Sequence, residues 1–189
     1  MYKAIIFDFF DVIRTDAYKT WLKLHDYKSE GEFLAAIQRQ DRGEIDTQEF
    51  LAILSQLTGQ AADEIFEEMQ NGAVINYDVL ELAERLRENY KIGLLSNAAN
   101  GFLRDMLREH DLEKYFDEII ISGEVGLIKP EADMFHHILS KMELHPTEAI
   151  FIDDSPTNID GSRAVGIESI LFTDTLNLKE ELTRLGIRL

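Results

Sequence analysis

The chain has 189 residues, with 19 lysines and arginines against 36 aspartates and glutamates, which gives a formal net charge of −17. This length fits one domain with a modest insertion, 45% hydrophobic residues exclude global disorder, and the lack of cysteine excludes disulfides and thiolate sites. The acidic excess excludes nucleic acids and anionic membranes as partners, because both are bound through an excess of lysine and arginine.

The N-terminal segment does not resemble a targeting signal. Asp8 follows only seven residues after the start, which is too early for the apolar stretch of a signal peptide. No apolar run approaches the roughly 20 residues that a membrane span requires. The sequence therefore predicts a soluble, cytoplasmic protein.

Five short apolar runs are spread along the chain. They are nearly continuous rather than alternating, which is typical of strands buried on both faces. Segments of helical period separate them, such as residues 79–86 and 134–142. This alternation predicts an α/β fold: a Rossmann-like parallel sheet with helices on both faces. The runs are residues 4–7, 92–95, 119–121, 149–152 and 170–172.

Residues 17–71 interrupt this alternation, since they contain amphipathic helical patterns and no convincing strand. Asp46 and Thr47 precede one such pattern as a helix start would, and Gly43 just before them indicates a tight turn between two helices. We therefore predict a small all-helical cap at residues 17–71, inserted into a core domain of residues 1–16 and 72–189.

Polar side chains follow three of the predicted strands, at the sheet edge where open parallel sheets bind ligands. A lysine, Lys129, stands just before a predicted helix, with Pro130 suited to its first turn. Ser155 is a plausible N-cap for the helix that follows the fourth run. The strand-end side chains are Asp8, the pair Ser96 and Asn97, and the pair Asp153 and Asp154.

Four segments with these side chains, in this order, resemble the motifs of the haloacid dehalogenase-like hydrolase superfamily. The likeness covers residues 1–14 and 91–175, and it is most specific in GEVGLIKPE (123–131) and IDDSPTNI (152–159). The chain is most similar to the phosphatase-type branch, which has a helical cap after the first motif. The resemblance therefore implies a hydrolase, with a small phosphorylated molecule as its substrate.

The resemblance also implies roles for individual residues. Asp8 would be the nucleophile that forms an aspartyl phosphate, and Lys129 would neutralise the transferring group. Ser96 would hold a phosphate oxygen, together with the backbone amide of Asn97. The magnesium ligands would be Asp8, the backbone carbonyl of Phe10 and Asp154, with Asp153 binding directly or through a neighbour.

The chain departs from this pattern at Phe10. Most phosphatases of the superfamily carry there a second aspartate, which protonates the leaving group and then activates water, whereas phenylalanine carries no proton. Asp11 could take that role only through a backbone bulge, and it is better explained as a turn residue. Some relatives with glycine at this position also lack the aspartate, so the departure weakens the enzyme assignment without cancelling it.

Two alternatives to the phosphatase remain. The missing acid fits a catalytically impaired protein that binds a metabolite or a partner. Five polar groups are retained together, which argues against decay: Asp8, Ser96, Lys129, Asp153 and Asp154. A dehalogenase is the other, but the acidic pair at 153 and 154 favours phosphoryl chemistry. Neither the substrate nor the oligomeric state follows from the sequence. Scattered side chains of the first part of the chain are candidate substrate contacts, namely Arg14, Lys19, Trp21 and Lys23.

Overall fold

The computed structural model describes residues 1–71 and 73–189. Five parallel strands form one sheet in the order β3-β2-β1-β4-β5. All five predicted runs are confirmed as strands, within two residues at either end. The strands are β1 (Ala4–Phe7), β2 (Lys91–Ser96), β3 (Glu118–Ile121), β4 (Ala149–Asp153) and β5 (Glu168–Leu171).

Helices cover both faces of this sheet, as the continuous apolar runs predict. The helices are α1 (Ala17–Leu24), α2 (Gly31–Asp41), α3 (Thr47–Thr58), α4 (Ala62–Asn71), α5 (Tyr77–Leu86), α6 (Phe102–Glu109), α7 (Ser122–Val125), α8 (Ala132–Met142), α9 (Pro156–Ala164) and α10 (Thr175–Arg184). Two single-turn 3₁₀ helices, Glu113–Tyr115 and Pro146–Glu148, precede β3 and β4.

Each sheet face has its own buried cluster of apolar side chains. On one face α5, α6 and α10 pack against Phe7 and neighbouring strand residues. On the other face α8 and α9 pack against Ile6 and Phe151, and the rings of Phe135 and Phe151 meet edge to face. Successive strand residues thus point to opposite faces and are buried on both. The fold is an α/β, Rossmann-like parallel sheet.

Helices α1 to α4 form a separate helical segment between β1 and α5, with a buried cluster around Trp21 and Phe50. Helix α3 begins as predicted, because the Asp46 side chain accepts the Glu49 amide and the Glu49 side chain accepts the Asp46 amide. Gly43 turns the chain between α2 and α3 with a φ of +72°. The predicted domain boundary at residue 72 lies outside the described residues.

The start of helix α8 differs from the prediction. Pro130 does not stand in the first helical turn, since the helix begins at Ala132. The backbone N–H and C=O of the preceding Lys129 both bond the side chain of Asn97, which holds this residue in a loop. These long-range bonds override the local preference of proline for the first turn.

The described part of the chain contains no helix that is both long enough and apolar enough to cross a membrane.

Candidate functional site

Asp8 directly follows β1 and is buried at the carboxyl edge of the sheet. Its Oδ1 accepts the Phe9 N–H at 2.7 Å and lies 2.7 Å from the Nζ of Lys129. Burial raises the pKa of Asp8 well above its ordinary value; the charge of Asp153 raises it further, while Lys129 opposes both effects. Asp8 is therefore a buried carboxylate whose charged form needs nearby cations.

Lys129 lies between two carboxylates and is only 2% exposed. Its Nζ is 2.7 Å from Asp8 Oδ1 and 2.7 Å from Asp153 Oδ2. Burial alone lowers the pKa of Lys129, but the charges of Asp153 and Asp8 together raise it above its ordinary value, so the ammonium stays charged. The structure thus brings the predicted lysine and two of the predicted aspartates into direct contact.

Asn97 fixes the loop that carries this lysine. Its Nδ2 donates to the Lys129 C=O at 3.0 Å, and its Oδ1 accepts the Lys129 N–H at 2.9 Å. This contribution of the side chain was not predicted, because the resemblance implies only a backbone amide of Asn97 toward the substrate. That backbone role stays a prediction.

Asp153 is fully buried and holds several donors at once. Besides the Lys129 ammonium, its oxygens accept the Ser155 N–H at 2.8 Å and the Asn158 Nδ2, which lies 3.0 Å from each. These contacts occupy most of the capacity of one carboxylate. Ser155 stands at the N-cap of α9, as predicted, but its side chain makes no capping bond. Asn158, near the start of α9, is a site residue that the sequence did not predict.

Asp154 contacts a residue of the helical segment. The Nζ of Lys19, on α1, lies 2.9 Å from Asp154 Oδ2 and 3.0 Å from Asp11 Oδ2. Asp11 has a φ of +58°, and its Oδ1 accepts the Asp16 N–H at 2.8 Å, which fits the predicted turn residue. No sequence signal links residues 19 and 154, since only the docking of α1 over the sheet edge joins them.

The donor atoms at this edge fit a hard divalent cation. Asp8, Asp153 and Asp154 each offer a carboxylate oxygen, and these oxygens lie within 4.8 Å of one another. Together with Asp11, four carboxylates surround the two ammonium groups described above, which leaves an excess of negative charge. Oxygen ligands with such an excess are what magnesium prefers in proteins. The predicted fourth donor, the Phe10 carbonyl, stays a prediction.

Ser96 is the last residue of β2, and its fully buried Oγ has no hydrogen-bond partner among the described residues. Buried Ser122 nearby behaves differently, because its Oγ donates to the Ala98 C=O and accepts the Ala98 N–H. Buried hydroxyls are almost always paired in folded proteins, so an unpaired one at a strand end indicates a ligand position.

A cavity of about 120 Å³ adjoins these strand ends and separates them from the helical segment. Phe10 and Asn97 line it from the sheet side, and the Phe10 ring packs edge-on against Phe9 at 5.2 Å between centroids. Side chains of α1 to α4 form the opposite wall. The cavity is thus placed to receive whatever part of a ligand extends from the strand ends.

The side chains considered as substrate contacts lie in different places. Arg14 lines the cavity, whereas Lys19 contacts Asp154 instead. Trp21 is buried in the helical segment, where its Nε1 donates to Glu68 at 3.1 Å, and Lys23 is exposed at the end of α1. Of the four candidates, only Arg14 faces this cavity.

The Asp41 carboxyl, on the cavity wall, should make the stability of the folded protein depend on pH. Burial, together with the charge of Asp16, raises its pKa to about 7. Between about pH 4 and pH 7 the Asp41 carboxyl is protonated in the folded protein but ionised in the unfolded chain. Its contribution to the free energy of unfolding therefore falls as pH rises through this window. We therefore expect Asp41→Asn to increase the free energy of unfolding in urea relative to wild type, by about 2 kcal/mol more at pH 8 than at pH 5.

The control for Asp41→Asn is Asp160→Asn, the same change on an exposed face of α9, which measures the general effect of removing one negative charge. If the stability change caused by Asp41→Asn differed between the two pH values no more than the change caused by Asp160→Asn, the raised pKa of Asp41 would be contradicted.

A family model for haloacid dehalogenase-like hydrolases matches residues 5–172. The chain belongs to this family. The match runs from β1 to the end of β5 and includes every strand-end side chain described above. The haloacid dehalogenase-like family is one of hydrolases.

The chain is also similar in sequence to individual proteins. Rat bifunctional epoxide hydrolase 2 is 30% identical over 126 residues, which are 64% of this chain and 23% of that protein. This chain thus matches less than a quarter of that relative's length. The D-ribitol-5-phosphate phosphatase of Bacteroides thetaiotaomicron is 26% identical over 208 residues and covers 97% of this chain and 98% of that protein.

A solved structure has the same fold. It is a haloacid dehalogenase family enzyme from Bacteroides thetaiotaomicron in complex with magnesium and inorganic phosphate, with a TM-score of 0.73 and 23% identity. The superposition covers 94% of this chain and 99% of that one.

Proposed function

We propose that this hydrolase is a magnesium-dependent phosphatase that acts on a small phosphorylated metabolite through an aspartyl phosphate on Asp8. The observation that carries the proposal is that the buried Asp8 carboxylate and the unpaired Ser96 hydroxyl lie at the ends of neighbouring strands. The relatives support it: one is a sugar-alcohol phosphate phosphatase, and a similar fold binds magnesium and inorganic phosphate.

Magnesium would be held by Asp8 and Asp154, with the Phe10 carbonyl as a further oxygen. We assign Asp153 chiefly to holding Lys129, because its oxygens already accept bonds from Lys129, Ser155 and Asn158. When bound, magnesium supplies positive charge that reduces the repulsion between the nucleophilic carboxylate and the phosphate.

The chain's own residues perform the reaction in two steps. The contacts of Asp8 with the Phe9 N–H and with Lys129 both use Oδ1, so Oδ2 forms the bond to phosphorus while the bond to the leaving oxygen breaks. Ser96 Oγ and the Asn97 N–H donate to the phosphate oxygens, and Lys129 offsets their charge. Water then attacks phosphorus, which releases inorganic phosphate and restores Asp8.

The residue at position 10 sets the limit of this chemistry. Phe10 has no proton to give, so the leaving oxygen departs without a side-chain acid from that position and is protonated by solvent. The proposed enzyme therefore favours substrates whose leaving groups are stable as anions, such as aryl, acyl or anomeric phosphates.

We also propose that residues 17–71 act as a cap over this site. Two ion pairs across the boundary support this role: Lys19 to Asp154 at 2.9 Å, and Arg42 to Glu131 at 2.6 Å. The cavity between the cap and the strand ends would then hold the leaving group.

A trapping experiment tests the proposed function. Beryllofluoride on an aspartate mimics an aspartyl phosphate, so beryllofluoride with magnesium should raise the melting temperature of the wild-type protein more than either alone. The Asp8→Asn variant should lose this effect. No magnesium-dependent stabilisation of the wild type would contradict the proposal.

Ser96→Ala gives a second, independent prediction. The variant removes a buried hydroxyl without a partner, so its stability should equal or exceed that of the wild type. Its affinity for inorganic phosphate in the presence of magnesium should fall roughly 10- to 100-fold, since a hydrogen bond to a charged group is lost. Thermal melting and isothermal titration measure the two effects.

The matched control is Ser122→Ala, which removes a buried hydroxyl that makes two hydrogen bonds. This variant should be less stable than the wild type and should keep its phosphate affinity. A Ser96→Ala protein that is destabilised like Ser122→Ala, with unchanged phosphate affinity, would rule out a phosphate contact at Ser96.

A further inference from the structure

Arg14 is a buried cation on the wall of the cavity, and one of its nitrogens has no partner. The side chain is 6% exposed, and its Nη2 donates to Gln70 Oε1 at 3.0 Å. Its Nη1 is buried and makes no hydrogen bond to any described residue. Leaving a charged donor buried and unpaired is costly, so Nη1 indicates a position where a ligand atom accepts a hydrogen bond.

The cavity that Arg14 lines adjoins the reaction centre. Phe10 and Asn97, which neighbour the strand-end residues Asp8 and Ser96 in the chain, line the same cavity as Arg14. A phosphate seated at the strand ends would direct its leaving group into this space. The cavity volume of about 120 Å³ leaves room for a small leaving group.

The other charged groups of the cavity decide what kind of acceptor fits. Asp16 and Asp41 also line it. The charge of Asp16, joined by that of Asp41 above about pH 7, would repel a carboxylate on the leaving group. A hydroxyl avoids this repulsion, because its oxygen accepts from Arg14 and its hydrogen can be donated to a carboxylate. The cavity therefore favours a neutral, hydroxyl-bearing leaving group.

We propose that Arg14 is a specificity-determining residue, whose Nη1 donates to a hydroxyl oxygen on the leaving group of the phosphorylated substrate. This inference rests on the proposed function, since it needs the phosphate at Asp8 and Ser96. Gln70 holds the other side of the guanidinium through Nη2 and thereby orients Nη1.

Three phosphates that differ only in the leaving group test the inference. Glycerol 3-phosphate carries hydroxyls, propyl phosphate carries none, and 3-phosphoglycerate carries a carboxylate. Arg14→Gln should lower the ratio of kcat/KM for glycerol 3-phosphate over propyl phosphate roughly 10- to 100-fold relative to wild type. Comparing this ratio between proteins cancels the intrinsic difference between the two leaving groups.

The matched control is Arg39→Gln, the same change on an exposed part of α2, which should leave the ratio at its wild-type value. Arg14→Lys keeps the charge in case Arg14→Gln does not fold, and it should also lower the ratio, because an ammonium lacks the second nitrogen of the guanidinium fork. A wild-type preference for 3-phosphoglycerate that Arg14→Gln abolishes would overturn the hydroxyl assignment.

Binding separates this inference from the proposed function. In an Asp8→Asn background, where turnover is blocked, the affinities for glycerol 3-phosphate and propyl phosphate with magnesium are measured with and without Arg14→Gln. If the wild type hydrolyses p-nitrophenyl phosphate but Arg14→Gln does not change the kcat/KM ratio of glycerol 3-phosphate over propyl phosphate, the role of Arg14 is refuted and the proposed phosphatase function is retained. If the wild type hydrolyses no phosphate at all, the proposed function fails, and the affinities then decide the role of Arg14. Equal losses of affinity for the two phosphates on Arg14→Gln would refute that role. A loss of affinity for glycerol 3-phosphate alone would support it.

Discussion

Replacing Asp8 with asparagine is expected to reduce phosphomonoester hydrolysis roughly 10⁴- to 10⁶-fold, the range seen when single members of a hydrolytic catalytic set are removed. The amide keeps the size of the side chain but cannot form the aspartyl phosphate. Initial rates with p-nitrophenyl phosphate and magnesium measure the effect. The fold should survive, since burial already opposes the charged form of Asp8.

Asp11→Asn is the matched control, because it makes the same change a few residues away in the same acidic cluster. Asp11 adopts a φ of +58°, which asparagine tolerates well, and its carboxylate contacts Lys19 rather than Lys129. This control should keep its activity within about tenfold of wild type, as expected for the loss of an exposed ion pair. An Asp8→Asn protein with activity comparable to that of Asp11→Asn would remove Asp8 from the role of nucleophile.

Phe10→Asp is expected to raise the hydrolysis of alkyl phosphates by about 10²- to 10⁴-fold, the usual contribution of general acid–base catalysis. The carboxylic acid would supply the proton that phenylalanine lacks. Aryl phosphates should gain far less, because their leaving groups need little protonation. A series of phosphates with increasing leaving-group pKa measures this, and its dependence should be steep in the wild type and shallow in the variant.

Phe10→Leu serves as the control, since it also removes the ring that packs against Phe9 but adds no proton donor. It should show no gain for any phosphate. If a folded, magnesium-binding Phe10→Asp protein gained nothing on alkyl phosphates, the missing acid would not limit the wild type. A flat leaving-group dependence in the wild type, with chemistry rate-limiting, would lead to the same conclusion.

The sheet could be predicted from the sequence because its strands are buried on both faces. Burial on both faces forces nearly continuous apolar runs, and a run such as residues 149–152 therefore identifies β4 directly. The position of the site could be predicted for the same reason, because Asp8 and Ser96 lie at the carboxyl ends of neighbouring strands. Local pattern and tertiary structure agree at these positions.

The sequence did not predict contacts that exist only through tertiary packing. The Asn97 side chain holds the backbone of Lys129, 32 positions away, and Lys19 reaches Asp154 across 135 positions. Neither contact leaves a periodic trace, because each depends on where a loop or a helix docks. The start of α8 at Ala132 was misplaced for the same reason.

Two glycines control how closely the helical segment approaches the sheet edge. A side chain at Gly43 would place its Cβ 2.6 Å from the carbonyl oxygen of Gly123, and a Cβ on Gly123 would meet the Asn100 nitrogen at 2.4 Å. Three stretches of main chain are thus stacked with no side chain between them. The approach of the helical segment to the sheet edge is consequently limited by the thickness of the backbone, and a methyl group added at Gly123 would press on Ala98 and Ala99, two residues that line the cavity.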